Sequence, residues 1–282
     1  MSMTSLTRFK SWVRSKAPLP VFAYRHPEFS NFGDELSIYL IARLTQRKVI
    51  RVERGFNKPH VAAIGSILNL TNDQSTIWGS GVISQNDEVT PPASVLAVRG
   101  PRTRAALLAR DIDCPEVYGD PALLLPLVYR GAEPVHELGI VPHYVDYDQA
   151  VAQFKDDVPI IDVRQPLETV LNAITSCRHI VSSSLHGVIV AETMGRRGCW
   201  AKFSDKLTGD DTKFHDFYES VNLTAPSPLM LDDQSPSPAA LRDAVNEQWR
   251  PMTFDPRPLL GAAPFSLRRN VVDSHMQTPG HE

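Results

Sequence analysis

Short β-branched or aromatic runs alternate along this chain with stripes of apolar residues spaced three and four apart, the signature of strands followed by helices. The clearest unit spans 179–195. Ile180-Val181 suits a buried strand of a parallel sheet, and Ser182-Ser183-Ser184 forms a turn of small polar residues. Leu185, Val188, Ile189 and Met194 then recur at helical spacing until Gly195 offers a stop. The same alternation opens the chain. Val21-Phe22-Ala23-Tyr24 reads as a strand, and Leu36, Leu40, Ile41 and Leu44 mark a helix entered through Asn31-Phe32-Gly33-Asp34, with Asp34 placed to cap it or to project forward. Further strands are expected at 48–52, 61–64, 76–78 and 95–98, then a helix at 102–109 with Pro101 at its first position, and a short helix after Pro121. A second run predicts a strand at 139–144, a helix at 147–155, a strand at 159–163 and a helix at 166–176. The serine unit follows, with a strand at 199–203 and a helix through Phe214, Phe217, Tyr218 and Val221. Beyond 224 prolines recur, interrupted by one expected helix at 239–249.

Two successive α/β patterns without an internal repeat make two Rossmann-like domains facing a cleft the economical architecture. The first is expected over 18–130 and the second over 139–250, with the break where Gly131, Pro134 and mixed charges crowd together. Residues 1–17 carry Arg8, Lys10, Arg14 and Lys16 and, if helical, gather Leu6, Phe9, Trp12 and Val13 on one side. Such a segment can lie on an anionic membrane surface or pack on its own domain, and both readings stay open. Residues 266–282 read as a disordered tail.

Composition narrows the function classes. The chain has 282 residues, 42% of them hydrophobic and 22% charged, which is a globular balance. A net charge of −3 gives no electrostatic case for nucleic acid. Cys114, Cys177 and Cys199 are far apart and lack metal-ligand spacing, so they read as reduced cysteines of a cytoplasmic protein, and neither a metal nor a resident cofactor is expected. The opening residues lack the apolar core of a secretory leader, and no run approaches the ~18 apolar residues of a membrane span. The expected location is cytoplasmic, with peripheral contact at the inner face of the membrane if the first segment binds lipid.

Candidate chemistry collects at the expected strand ends, where open α/β sheets bind ligands. His186 falls in the first turn of a helix preceded by Ser182, Ser183 and Ser184, a setting that suits a phosphate or carboxylate. Asp34 beside Gly33 could bind or deprotonate a hydroxyl. Gly65-Ser66 and Gly79-Ser80 end successive strands and read as one pocket wall, although the second lacks the third glycine of a dinucleotide fingerprint. Arg99 closes a buried-type strand, where a guanidinium can fork onto an anion. His143 ends another strand. Lys213 opens a helix whose dipole it opposes, which points to an anionic partner.

Taken in order, Asn31-Phe32-Gly33-Asp34, Ala63-Ile64-Gly65-Ser66, Trp78-Gly79-Ser80-Gly81, Val98-Arg99-Gly100-Pro101, Tyr118-Gly119-Asp120-Pro121, Val141-Pro142-His143, Ser183-Ser184-Leu185-His186-Gly187 and Lys213-Phe214-His215-Asp216-Phe217-Tyr218 resemble the polysaccharide pyruvyl transferase family. The set covers roughly 20–222 and looks most like the bacterial exopolysaccharide, xanthan-type ketal-pyruvyltransferases. The resemblance implies a GT-B-like fold and transfer of pyruvate from phosphoenolpyruvate to two hydroxyls of one hexose as a cyclic ketal. It implies a lipid-linked oligosaccharide acceptor. Many members carry Arg before Leu-His-Gly where this chain has Ser184, which shifts phosphate charge toward Arg99 or Lys213. On this reading Arg99, Lys213 and the helix start at 182–186 hold phosphoenolpyruvate. His186 is the acid, since imidazoles in general exchange protons near neutral pH, and Asp34 is the base. A nucleotide-sugar glycosyltransferase and a non-catalytic sugar- or anion-binding partner of polysaccharide assembly are the competing readings.

Overall fold

Leu19–Phe22 (β1) is buried at every position, as an inner parallel strand must be when both faces are covered. The computed structural model describes residues 17–232, 235–269 and 271. The expected basic segment therefore lies, through residue 16, outside the described residues. Of the expected tail, 270 and 272–282 lie outside them too. The rest of that tail lies on the fold, with Val271 buried and the Arg268 N–H donating to Leu44 O at 2.9 Å.

The protein is α/β. Strands β1, Val49–Val52 (β2), His60–Ala62 (β3), Ser75–Trp78 (β4) and Ser94–Ala97 (β5) form one parallel sheet in the order β2-β1-β3-β4-β5. His136–Val141 (β6), Cys177–Ser182 (β7), Arg197–Lys202 (β8) and Leu229–Met230 (β9) form a second parallel sheet in chain order. Parallel pairing needs crossovers, and Phe32–Thr45 (α1), Pro101–Leu108 (α2), Tyr147–Phe154 (α3), Leu167–Thr175 (α4), Leu185–Thr193 (α5) and Thr212–Ser220 (α6) supply many of them. Pro238–Gln248 (α7) and Pro256–Gly261 (α8) complete the described helices.

Local chemistry explains most boundaries. The Asn31 side chain caps α1 by accepting from Gly33 N–H at 3.1 Å, which frees Asp34 from the capping role open to it. Asp120 caps the 3-10 helix Pro121–Leu127 through Ala122 N–H at 2.9 Å. The strand expected at 159–163 is reduced to one bridge, Ile140 to Ile160, beside the edge strand β6. The chain then turns at Asp162, whose carboxylate takes hydrogen bonds from Arg164, and Val163 O accepts from Phe32 N–H at 2.9 Å. This segment thus ties the second sheet to the entrance of α1. One hydrophobic cluster runs through both sheets, from Leu19, Leu36 and Trp78 to Ile180, Val188 and Trp200.

Candidate functional site

The loops after β1, β3, β4, β6 and β7 and the starts of α1, α5 and α6 converge on a cleft of about 280 Å³. It lies at the carboxyl ends of strands from both sheets, where a parallel α/β fold leaves helix N-termini pointing at a ligand. Asp34, Gly65, Ser66, His143, Ser184, His186 and Lys213, all singled out in the sequence, line it.

Asp34 and His186 form its chemical centre. Burial pushes the Asp34 carboxyl up to about 6, against the nearby positive charge of His186 and Arg51. Gly33 makes room for the imidazole, because a Cβ there would stand 2.7 Å from His186 Nδ1. On the other side of the ring, His186 Nε2 lies 3.5 Å from Asp120 Oδ2. In the sequence Asp120 stands only within the Tyr118-Gly119-Asp120-Pro121 stretch; the fold brings it beside His186.

The serine turn divides its labour. Ser182 Oγ is buried, donates to Val141 O at 2.7 Å and accepts from Ser184 N–H at 3.0 Å. Ser183 Oγ is also buried, donates to Asp146 at 2.7 Å and accepts from His143 N–H at 2.9 Å. These two serines build the turn, while Ser184 sits at the N-cap of α5 and faces the cleft without a side-chain bond to the helix. The first N–H groups of a helix have no intrahelical acceptor, so the start of α5 offers donors to an anion.

Lys213 approaches from α6. Burial, and secondarily the Arg99 charge, bring its ammonium down to about 8, so it remains mostly charged near neutral pH. His143, held down to about 3 by burial and then by Lys213, is neutral there. The cleft therefore sets a cation and helix dipole near a carboxylate that titrates close to neutrality.

Arg99 is placed differently from the expected anion clamp. Its side chain is fully buried behind the cleft, where Nε donates to Asp216 at 2.9 Å, Nη1 to Ser66 Oγ at 2.7 Å and Nη2 to Val82 O at 2.6 Å. Asp216 also accepts from the Thr103 amide and hydroxyl at 2.9 and 2.6 Å. A carboxylate at the centre of α6 thereby draws the guanidinium inward, and Arg99 reaches the cleft only through Ser66. Gly79 and Ser80 also stay behind the wall. A Cβ on Gly79, whose φ is +96°, would fall 2.2 Å from Pro121 Cδ, and Ser80 is buried. Their turn supports Arg99 and the Asp120 loop.

Several lining residues were missed. Tyr24 and His26 follow β1 and Tyr144 follows β6, so the strand-end rule applied to every strand would have found them. They join an aromatic group contributed by both halves: His26 stacks on Phe29 at 3.8 Å, and Tyr144 meets Phe29 at 4.9 Å and His143 at 4.1 Å between centroids. No group of three or more His, Cys, Asp or Glu among the described residues could hold a metal ion, and no helix among them is long and apolar enough to cross a membrane.

Residues 88–200 match the family model for polysaccharide pyruvyl transferase. This stretch contains Arg99, Asp120, His143 and the 182–186 turn, with Asp34 and Lys213 on either side of it. An uncharacterized protein of Acanthamoeba polyphaga mimivirus is 34% identical over 199 residues, covering 66% of this chain and 69% of that protein. The crystal structure of a functionally uncharacterized protein from Klebsiella pneumoniae subsp. pneumoniae aligns with 82% of this chain and 99% of its own at 13% identity, with a TM-score of 0.46.

Proposed function

We propose, from the match of residues 88–200 to the polysaccharide pyruvyl transferase family model, that the chain moves pyruvate from phosphoenolpyruvate onto two hydroxyls of one hexose in an exopolysaccharide or its lipid-linked precursor, as a cyclic ketal. The observation that carries this reading is the convergence of Asp34, His186 and Lys213 on one cleft. An acid, a base and a cation within one pocket are what the reaction needs. We carry with it a two-domain, GT-B-like arrangement of residues 18–130 and 139–250.

In this mechanism Lys213 and the start of α5 bind the phosphate and carboxylate of phosphoenolpyruvate. His186 protonates C3 of the enol, and the positive character that develops at C2 is met by a sugar hydroxyl. Asp34, which ionises near pH 6, takes that hydroxyl's proton. Phosphate departs with the electrons of its C–O bond, and the second hydroxyl closes the ketal. The protons balance: C3 gains one, two hydroxyls lose one each, and phosphate carries one away. The aromatic group of His26, Phe29 and Tyr144 offers flat faces against which a sugar ring can rest. Arg99 supports the anion site from behind Ser66 and leaves direct contact to Lys213.

Thermal unfolding with phosphoenolpyruvate, UDP and UDP-glucose, each at millimolar concentration, tests the donor. A ligand at ~100 times its Kd adds about 2.7 kcal/mol of stability, a shift of several degrees. Phosphoenolpyruvate alone should raise the midpoint, and Lys213→Ala should lose the rise. A rise with UDP species only would favour the glycosyltransferase. Phosphate release on addition of acceptor separates catalysis from binding, and His186→Ala should lower kcat by about 10²- to 10⁴-fold.

A further inference from the structure

Two buried polar atoms beneath the cleft lack a hydrogen-bond partner, Asp120 Oδ2 and His186 Nε2, and they face each other at 3.5 Å. Leaving either without an answer is costly, so their juxtaposition calls for a reason. The Asp120 carboxylate is fixed from its other side, where Oδ1 accepts from Ala122 N–H at 2.9 Å and Pro121 braces the turn against Gly79. The imidazole is fixed as well, since Nδ1 lies against Gly33, the residue before Asp34.

We infer that Asp120 is a positioning residue for His186: its Oδ2 accepts the hydrogen on Nε2, which leaves Nδ1 as the ring atom that exchanges a proton in the cleft. A neutral imidazole carries one hydrogen, and the acceptor at one nitrogen decides which tautomer forms. A carboxylate has no hydrogen to give, so it selects Nε2–H. Other charged or titratable groups lining the ring's cleft are Tyr24 and His26 from the loop after β1, Asp34 from α1, His143 and Tyr144 from the loop after β6, and Lys213 from α6. None of these occupies the Nε2 side in the way Asp120 does. The inference rests on the pyruvyl-transfer reading only for the identity of the substrate that meets Nδ1.

Long-range ¹H–¹⁵N correlation on the ¹⁵N-histidine-labelled full chain reads the tautomer directly, with the His186 signals identified by their loss in His186→Gln. The expected neutral form carries hydrogen at Nε2. Asp120→Asn keeps an oxygen for the Ala122 cap and turns an amide N–H toward Nε2, so the hydrogen should move to Nδ1. With phosphoenolpyruvate and an acceptor, kcat should then fall by about 10²- to 10⁴-fold while KM for phosphoenolpyruvate stays near its wild-type value. A purely structural cap would leave both the tautomer and kcat unmoved in Asp120→Asn, and that result overturns the inference. So does an Nδ1–H ring in the wild-type protein, a measurement that stands even if the variant does not fold. Failure of the pyruvyl-transfer reading looks different: an Nε2–H ring that inverts in the variant, in a protein that never consumes phosphoenolpyruvate.

Discussion

Asp34 carries a burden of the kind active sites accept, a carboxylate whose charged form is disfavoured by its surroundings. Its folded-state value of about 6 stands above the ordinary 3.8, so the folded protein binds this proton more tightly than the unfolded chain does. The destabilisation is therefore present above pH about 6, shrinks as pH falls through that value, and is absent below 3.8. Asp34→Asn should melt higher than the wild type at pH 7.5, with the gap closing by pH 3.5, and should lose turnover. Equal melting temperatures at pH 7.5 would show that burial imposes no such cost. At this scale the sequence was informative about residue type and order. Asp34, His186 and Lys213 could be singled out because each adjoins an expected helix start. The depth of Arg99 could not, because that depends on Asp216, 117 residues away.

Among the elements, α1 illustrates how a helix start becomes a site. Asn31 caps, Phe32 is buried, Gly33 admits the imidazole and Asp34 faces the cleft. Gly33→Ala should favour the helix by roughly 1 kcal/mol in intrinsic propensity, while the new Cβ meets His186 Nδ1. A melting temperature near the wild type's with kcat reduced by about 10²-fold is the expected pairing, from displacement of the ring by about an ångström. Unchanged kcat in a folded Gly33→Ala protein would deny that the close approach matters. The long elements were legible, since β1, α1, α5 and α6 each have the apolar spacing their structure requires. The short ones were less so: β9 has two residues among prolines, and α8 begins Pro256-Arg257-Pro258, a pattern that reads as a breaker. In α8 proline takes the first helical position and Asp255 caps the Arg257 N–H at 3.0 Å.

Over the whole molecule, the C-terminal stretch returns to the first sheet. Trp78 Nε1 donates to Leu259 O at 2.9 Å, Phe265 meets Trp78 edge-on at 5.0 Å, and Leu259 is fully buried. Leu259→Ala should cost about 2–5 kcal/mol in chemical denaturation, since it opens a cavity in the cluster shared by both sheets. A loss under 1 kcal/mol would mean that this stretch merely rests on the surface. The ion pair of Arg99 with Asp216 reinforces the same joining, linking the end of β5 to α6 and, through Thr103, to α2.

The sequence by itself determined the α/β class, the alternation of parallel strands with helices, and the small, polar and ionisable residues at strand ends. Periodicity and turn chemistry are local, and they act within a few residues. Only the tertiary structure decided which strand ends share the cleft, that Arg99 turns inward to Asp216, that Asp120 meets His186, and that α8 returns to Trp78. Those outcomes rest on burial and on pairing between residues dozens of positions or more apart, and a buried charge or orphaned nitrogen finds its partner only when the chain has closed around it.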